Sequence, residues 1–359
     1  SGGSNNLGQG DYNQTINSGA MVVSKSASTP PTGNIAVGDN ILLAVWDWQI
    51  LGEQTRVSSV VVRGDLVNSG GSTTITFADM TNAYLVNMTT GDTLFGPVDG
   101  ADGLAVVGTT AVDPKFTYSS TYVFPTGTTK VGFKVRLGTD WEASDTIAVQ
   151  LYQAADVTVK GVQSNNTITP TGFASVGNTM TVKAGALVVR MLGNPPTGAV
   201  IIGATDFTWA TFAFDATASG EDVLITAVII TDTLDGTTGN PSDINNSELW
   251  ADLDGNTSYE TKISNTEQPA GSAGDDTDTT TYTLTQTVRV PKGGKINWIL
   301  LADLDSGAVS ASTDTHAFTV VADGATATGA DTGTGITDTA SGTSGTMTVT
   351  AVGTIGMAL

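Results

Sequence analysis

The sequence predicts an all-β chain that folds as two tandem antiparallel β-sandwiches. Three observations lead to this prediction: strand-forming residues are abundant, apolar and polar residues alternate in short runs, and the two halves of the chain repeat one another. Thr, Val and Ile are frequent, and their β-branched side chains favour strands. No window carries apolar residues at the i, i+3, i+4 and i+7 spacing of an amphipathic helix over three turns.

The alternating runs are short and are separated by Gly, Asn and Asp. Examples are residues 72–77, 130–136, 146–152 and 281–288. A period of two residues indicates strands with one buried and one solvated face, as in antiparallel sheets. In the stretch Val45-Trp46-Asp47-Trp48 the two indoles share a face, which we predict to be the core face.

The density of strands and turns is typical of an immunoglobulin-like sandwich, in which two sheets with seven or more strands pack face to face. Each repeat is longer than a minimal sandwich of this kind, so we predict two tandem immunoglobulin-like antiparallel β-sandwiches with long decorated loops. The candidate loops are residues 64–71, 96–114 and 261–280.

The internal repeat rests on several matches that occur in the same order in both halves. Pro30-Pro31-Thr32-Gly33 recurs as Pro195-Pro196-Thr197-Gly198, and each copy follows a short apolar strand. The other matching pairs are Trp46 and Trp48 with Phe212 and Phe214, Pro125 with Pro291, and Gly161 with Gly329. Self-similarity of this kind is the signature of a repeated structural unit.

These matches predict four segments. They are an N-terminal extension over residues 1–20, a first β-sandwich repeat over 21–183, a second over 184–344, and a C-terminal strand over 345–359. The last segment begins like the junction between the repeats, because Met347-Thr348-Val349 resembles Met180-Thr181-Val182. We expect it to be the first strand of a third repeat or a donor strand that enters another copy of the chain.

An unpaired strand of this kind is an adhesive edge. Its apolar residues are the predicted assembly positions: Met347, Val349, Val352, Ile355, Met357 and Leu359. If the strand were inserted into the sandwich of the next subunit, β-strand addition would join subunits head to tail. Such contacts give open filaments when the rotation between subunits does not close. The competing interpretation is a frayed tail.

The charge of the chain excludes some partners. Its 359 residues include 35 acidic and 14 basic side chains, which gives a formal net charge of −21. We exclude nucleic acid, because phosphate binding needs clustered Lys and Arg. We also predict no membrane insertion, because the sequence has no apolar run of the required length.

Few residues are suited to catalysis. The chain has no cysteine, and its single histidine, His316, lies in a strand pattern. Most acid–base triads, and metal sites built from histidines or thiolates, cannot be assembled from this set. We therefore interpret His316 as a packed or surface strand residue and predict that the chain is not an enzyme.

One acidic stretch is a candidate for metal binding. Its predicted metal ligands are Asp252, Asp254, Asn256 and Glu260. Oxygen ligands at alternate positions near a glycine loosely resemble a calcium loop, so Ca²⁺ is the predicted cofactor, although the spacing departs from that of an EF-hand. The alternative is a hairpin turn at Asp254-Gly255. The first repeat favours the turn, because Thr90-Gly91-Asp92 fills the matching position.

The repeat resembles the tandem immunoglobulin-like sandwiches of prokaryotic surface-layer and extracellular filament proteins. The similar elements are the Met-Thr-Val-Lys-Ala junction at residues 180–184, the Val-Val strand, the Pro-Pro-Thr-Gly turn and the acidic, Thr- and Gly-rich composition. The resemblance covers the chain from Met21 onward. It implies an extracellular, cell-surface location, a homopolymer as the partner, and contact with a cell wall or glycan.

The function implied by this resemblance is structural: a subunit of a filament or S-layer, joined head to tail by β-strand complementation. The alternative is an adhesin or carbohydrate-binding surface module. Exposed aromatic residues on one face would favour the binding function, whereas buried aromatic residues would favour the structural one.

Overall fold

The computed structural model describes residues 19–69, 75–101, 115–173, 175–235, 239–269, 277–308 and 314–351. The chain divides into two compact units. The first ends at Met180 and the second begins at Thr181, with the short segments Gly33–Gly38 and Glu142–Ser144 grouped with the second. No helix in the described ranges has the length and apolar character needed to cross a membrane.

The first unit contains two sheets. The strands of these sheets are β1 (Ala20–Lys25), β2 (Gly33–Ile35), β3 (Gly38–Leu51), β4 (Thr55–Val67), β5 (Met80–Asn87), β6 (Thr93–Val98), β7 (Lys115–Tyr118), β8 (Tyr122–Phe124), β9 (Gly127–Leu137), β10 (Thr146–Leu151), β11 (Val157–Gly161), β12 (Thr167–Ile168), β13 (Ser175–Val176) and β14 (Met180–Val182). Of these, β2 and the last two residues of β14 are grouped with the second unit. The first sheet has the order β1-β3-β9-β5-β6. The second has the order β12-β11-β4-β10-β14-β2, with β13 paired to β10 and β7 and β8 paired to β4.

The second unit also contains two sheets. Its strands are β15 (Leu187–Met191), β16 (Gly198–Ile201), β17 (Phe207–Asp215), β18 (Val223–Asp235), β19 (Ile244–Asp252), β20 (Thr261–Lys262), β21 (Thr277–Val290), β22 (Lys295–Leu304), β23 (Thr315–Gly329), β24 (Gly335–Ile336), β25 (Asp338–Ser341) and β26 (Met347–Thr350). The third sheet has the order β20-β19-β22-β17-β15-β25. The fourth has the order β16-β26-β23-β18-β21, with β24 paired to β23. Single-turn 3-10 helices occur at Phe77–Asp79, Ala154–Asp156 and Pro241–Asp243.

The two units repeat one topology. The order β15-β17-β22-β19-β20 in the third sheet corresponds to β1-β3-β9-β5-β6 in the first. In the second sheet β4 pairs with β10 and β11, and in the fourth β18 pairs with the two halves of the single strand β23. Equivalent positions follow from the registers: Leu66 opposite Ile147 corresponds to Leu234 opposite His316. The all-β, tandem-sandwich prediction is confirmed.

Aromatic side chains occupy the cores. Trp46 and Trp48 are both fully buried, which confirms the core face predicted from their spacing. In the second unit Trp209 and Trp298 are equally buried, and the Trp298 ring lies 3.9 Å from that of Phe214 between ring centroids. These large rings fill the space between sheets, where burial of apolar area stabilises the fold.

The C-terminal strand is not the start of a third repeat. Residues Met347–Thr350 form β26, which pairs in parallel with β16 and antiparallel with the start of β23. Met347 and Val349 are buried in the core of the second unit. The expectation of an unpaired donor strand is therefore wrong for residues 347–350. Val352, Ile355, Met357 and Leu359 lie outside the described residues.

The expectation failed because the Met-Thr-Val strand is the last strand of each sandwich in chain order, not the first. In the second sheet β14 lies beside β10, and in the fourth sheet β26 lies beside β23 at the equivalent position. The recurrence between residues 180 and 347 thus reflects two last strands. The sheets also include two parallel pairs, β15 with β25 and β16 with β26, which the antiparallel prediction did not include.

The predicted loops are shorter than expected where the structure describes them. Strand β4 runs through Gly64 to Val67, β6 covers Gly96–Val98, and β20 and β21 occupy both ends of the range 261–280. The remaining parts of the predicted loops at residues 70–71, 102–114 and 270–276 lie outside the described residues, as does the N-terminal segment 1–18.

Candidate functional site

The predicted calcium ligands lie in the loop between β19 and β20. One carboxylate oxygen from each of Asp252, Asp254 and Glu260 lies within 4.8 Å of the other two. Asp252 is buried, whereas the other two carboxylates are exposed. The three acidic residues are therefore brought together as the sequence pattern predicts.

The loop already supplies hydrogen-bond donors to these carboxylates. Asp252 Oδ1 accepts from the backbone amides of Gly255 and Asn256, and its Oδ2 accepts from that of Thr257. Asn256 turns its Nδ2, not its oxygen, toward Asp254 Oδ2 and Glu260 Oε1, at 2.9 and 3.3 Å. The loop thus has the hydrogen bonding of a turn, and calcium binding there stays a prediction.

A second cluster surrounds His316 on β23. The imidazole is fully buried, and its Nδ1 lies 2.7 Å from Oδ2 of Asp232 on the neighbouring strand β18. The ring of Trp209 packs edge-on against the imidazole at 5.6 Å between centroids. As predicted from its strand pattern, His316 is a packed strand residue.

Two further carboxylates face the same imidazole. Asp314 directly precedes β23, and Asp243 ends the 3-10 helix that leads into β19. Ligand atoms of Asp243, Asp314 and His316 all lie within 4.8 Å of one another. Within the described part of the chain, both carboxylate oxygens of Asp314 and Nε2 of His316 are buried without a hydrogen-bond partner.

The electrostatics of this cluster follow from burial and crowding of negative charge. Burial raises the pKa values of Asp232 and Asp314, and burial together with the charge of Asp314 raises the pKa of Asp243. Burial disfavours a proton on His316. The hydrogen bond that the imidazole donates to Asp232 and the charges of Asp232, Asp314 and Asp243 outweigh that effect and raise the pKa of the imidazole. The cluster therefore favours additional positive charge.

No motif in the sequence joins Asp232, Asp243 or Asp314 to His316. The four residues come from three separate regions of the chain. The pairing of β18 with β23 brings Asp232 to His316, and the 3-10 helix before β19 supplies Asp243. One sequence signal was available. Asp145-Thr146-Ile147-Ala148 in the first repeat corresponds to Asp314-Thr315-His316-Ala317 in the second, so a core isoleucine is replaced by histidine.

No protein-family model and no curated protein sequence matches the chain. Among solved structures, the C-terminal domain of the AgI/II polypeptide BspA from Streptococcus agalactiae is similar at 10% identity and a TM-score of 0.24, covering 92% of this chain and 99% of that one. The major pilin SpaD from Corynebacterium diphtheriae is similar at 9% identity and a TM-score of 0.23, covering 92% and 66%.

A type I cohesin of ScaB from Pseudobacteroides cellulosolvens covers 48% of this chain and 98% of its own, at 9% identity and a TM-score of 0.25. These neighbours include a pilin and a cohesin. Similarities of this size carry no argument about function.

Proposed function

We propose that this chain is a structural module of an extracellular, cell-surface assembly and that it has no catalytic role. The observation that carries this proposal is the placement of the aromatic residues. Five of the six tryptophans are buried in the described structure; they are Trp46, Trp48, Trp141, Trp209 and Trp298. The side chains that a carbohydrate-stacking face requires are thus used to fill cores.

The distribution of charged side chains supports a structural role as well. Arg63 and Asp156 form a bidentate, buried ion pair with hydrogen bonds of 2.7 and 2.8 Å. This pair connects β4 to the 3-10 helix before β11. Buried charged groups of this kind are fixed by their partners and hold elements together instead of facing a substrate.

Self-association into a homopolymer is our proposal for the partner of this chain. Complementation by residues 347–350 would require exchange of β26 between copies, because that strand already completes its own sandwich. Domain swapping allows such exchange. We favour contacts through other surfaces, because withdrawing Met347 and Val349 would open the core of the second unit.

Negative-stain microscopy and light scattering of the purified full chain test the structural proposal. Ordered polymers that form reversibly with concentration are expected. Monodisperse monomers over the whole concentration range would contradict it.

A glycan array tests the alternative, an adhesin or carbohydrate-binding module. Trp250 is partly exposed, and its Nε1 donates to Glu248 Oε2. Trp250→Ala is therefore the matched variant for a stacking role. Saturable glycan binding that is lost in Trp250→Ala would establish the binding function in place of the structural one.

A further inference from the structure

We propose that Asp243, Asp314 and Nε2 of His316 bind one divalent transition-metal ion, with Asp232 orienting the imidazole. This inference is independent of the proposed structural function. It concerns a buried site in the second unit, separate from the acidic loop at residues 252–260.

Several buried polar atoms in this cluster have no hydrogen-bond partner among the described residues. Asp314 and His316 are both fully buried, yet three of their polar atoms have no hydrogen-bond partner among the described residues. A buried carboxylate or imidazole nitrogen in that state is costly, so each such group needs an explanation. An ion coordinated by all three atoms would satisfy them together.

The imidazole of His316 is oriented by Asp232. Its Nδ1 is 2.7 Å from Asp232 Oδ2, so in the neutral imidazole the proton lies on Nδ1 and Nε2 carries the free lone pair. Ligating histidines usually donate their other ring N–H to a carboxylate in this manner. Asp232 is thus a positioning residue, and Nε2 is the ligand atom.

The first sandwich differs from the second at the equivalent positions. There the position of His316 is occupied by buried Ile147. The carboxylate equivalent to Asp314 belongs to Asp145, whose Oδ1 accepts from the backbone amide and hydroxyl of Ser69. The carboxylate equivalent to Asp243 belongs to Asp79, whose Oδ2 accepts from the amide and hydroxyl of Thr76.

The same scaffold therefore has two different interiors at this point. In the first sandwich both carboxylates accept hydrogen bonds from protein donors, and an isoleucine stands at the position of His316. In the second, Asp232 takes the place of Gly64, against which the ring of Phe77 packs in the first. The second sandwich thus has His316 and Asp232 at positions where the first forms the same fold with Ile147 and Gly64.

The ligand chemistry selects the class of ion. Imidazole suits zinc and other late transition metals, whereas Ca²⁺ and Mg²⁺ prefer sets of oxygen ligands alone. Two carboxylates balance the charge of one divalent ion. Ligand atoms around a tetrahedral Zn²⁺ lie about 3.4 Å apart. The ligand atoms of the three side chains lie within 4.8 Å of one another, so they would need to approach by at most about 1.4 Å.

Zinc titration of the EDTA-treated full chain, in competition with a chromophoric chelator, tests the site. One Zn²⁺ per chain is expected. His316 is the only histidine, so the ¹⁵N resonances of its imidazole report on this site alone. Zinc is expected to shift the Nε2 resonance strongly. Zinc that binds elsewhere, such as at the acidic loop, would leave that resonance unchanged.

Three variants sharpen the test. His316→Ile, which copies the first sandwich, is expected to lose the ion. Asp232→Asn keeps the three direct ligands and is expected to weaken zinc affinity by about 10- to 100-fold. Asp79→Asn in the first sandwich is the matched control and is expected to retain one ion.

Unchanged imidazole resonances at excess Zn²⁺ would overturn the proposal. The cluster would then be an ion-pair network around a protonated His316. If His316→Ile does not fold, the imidazole resonances of the unmodified chain and the affinity of Asp232→Asn still decide the question. Equal zinc affinity in Asp232→Asn and the unmodified chain would count against the role of Asp232.

Discussion

A buried glutamate recurs at one position in each sandwich. Glu53 Oε2 accepts from the backbone amides of Gln163 and Ser164 at 2.7 and 2.9 Å. Glu221 Oε2 accepts from the amides of Asp331 and Thr332 at the same two distances. Hydrogen bonds with Ser164 lower the pKa of Glu53. Each glutamate thus ties the start of one strand to the turn after another.

Replacing Glu221 with alanine is expected to destabilise the second unit. The change removes acceptors for two backbone amides and the hydroxyl of Thr332, so we expect a loss of about 2 kcal/mol in the free energy of unfolding. Urea denaturation measures this loss in the free energy of unfolding. Glu221→Gln keeps an acceptor oxygen and is the control, with a smaller loss. Equal stability of all three proteins would contradict this role.

The buried glutamates explain why both repeats have glycine at the matching positions 161 and 329. A Cβ at Gly329 would lie 2.1 Å from Glu221 Oε1, and a Cβ at Gly161 would lie 2.3 Å from Glu53 Oε1. Gly329→Ala is therefore expected to cost about 1–3 kcal/mol through overpacking. Gly335→Ala, where no atom lies within 4 Å of the added Cβ, is the matched control for thermal melting. A comparable loss in both variants would show that steric contact with Glu221 is not the cause.

Among the elements, β26 gives the sharpest prediction. Met347 is buried in the core of the second unit, whereas Thr348 is only partly buried and lies between the two core positions of the strand. Met347→Ala is expected to cost about 2–4 kcal/mol. Thr348→Ala should change stability little. Chemical denaturation of both variants checks the contrast, and a stable Met347→Ala protein would mean that β26 is dispensable for the core.

The acidic loop between β19 and β20 carries a separate prediction. If it binds Ca²⁺, calcium should raise the thermal midpoint, EGTA should reverse the rise, and Asp254→Asn should abolish it. Asp99→Asn serves as the control, since Asp99 lies outside this loop and its Oδ1 accepts from the amide of Asn82. A midpoint that calcium and EGTA leave unchanged would establish the turn as the sole role of these carboxylates.

Sequence periodicity predicted the strands well but could not predict their partners. The runs at 130–136 and 146–152 match β9 and β10, and the core face of Trp46 and Trp48 followed from a period of two. The assignment of Met347 failed because a strand between tandem units can end one sandwich or begin the next with the same local pattern. Pairing with Gly198, far away in sequence, decides between these assignments.

The His316 cluster shows the same limit. Asp232, Asp243 and Asp314 are separated by long stretches of sequence, and no local motif relates them to the histidine. A carboxylate beside an imidazole is recognisable only after the register of β18 and β23 is known. Comparing the two repeats gives part of this information. Where one repeat has a polar residue and the other has a core residue at the same position, the surroundings of that position must differ.

At the scale of the whole molecule, the excess of negative charge is the dominant property. A formal net charge of −21 and an isoelectric point near 4.1 imply self-repulsion within the folded chain. Raising NaCl to about 0.1 M shortens the screening length to about 10 Å and should raise the thermal midpoint. Choline chloride at the same ionic strength should raise the midpoint by the same amount, because screening depends on ionic strength. A midpoint that does not rise with either salt would show that the charges are already compensated.

The position of β26 also has a consequence for how the second unit folds. Thr350 Oγ1 donates to the backbone oxygen of Val200 at 3.0 Å, across a sequence separation of 150 residues. Contacts this distant in sequence form slowly, because the intervening chain must first be brought together. A ribosome would therefore have to release nearly the whole second unit before its core could close. Until then the apolar strands that pack against Met347 and Val349 would be exposed and prone to aggregation. A chaperone could bind them during this time.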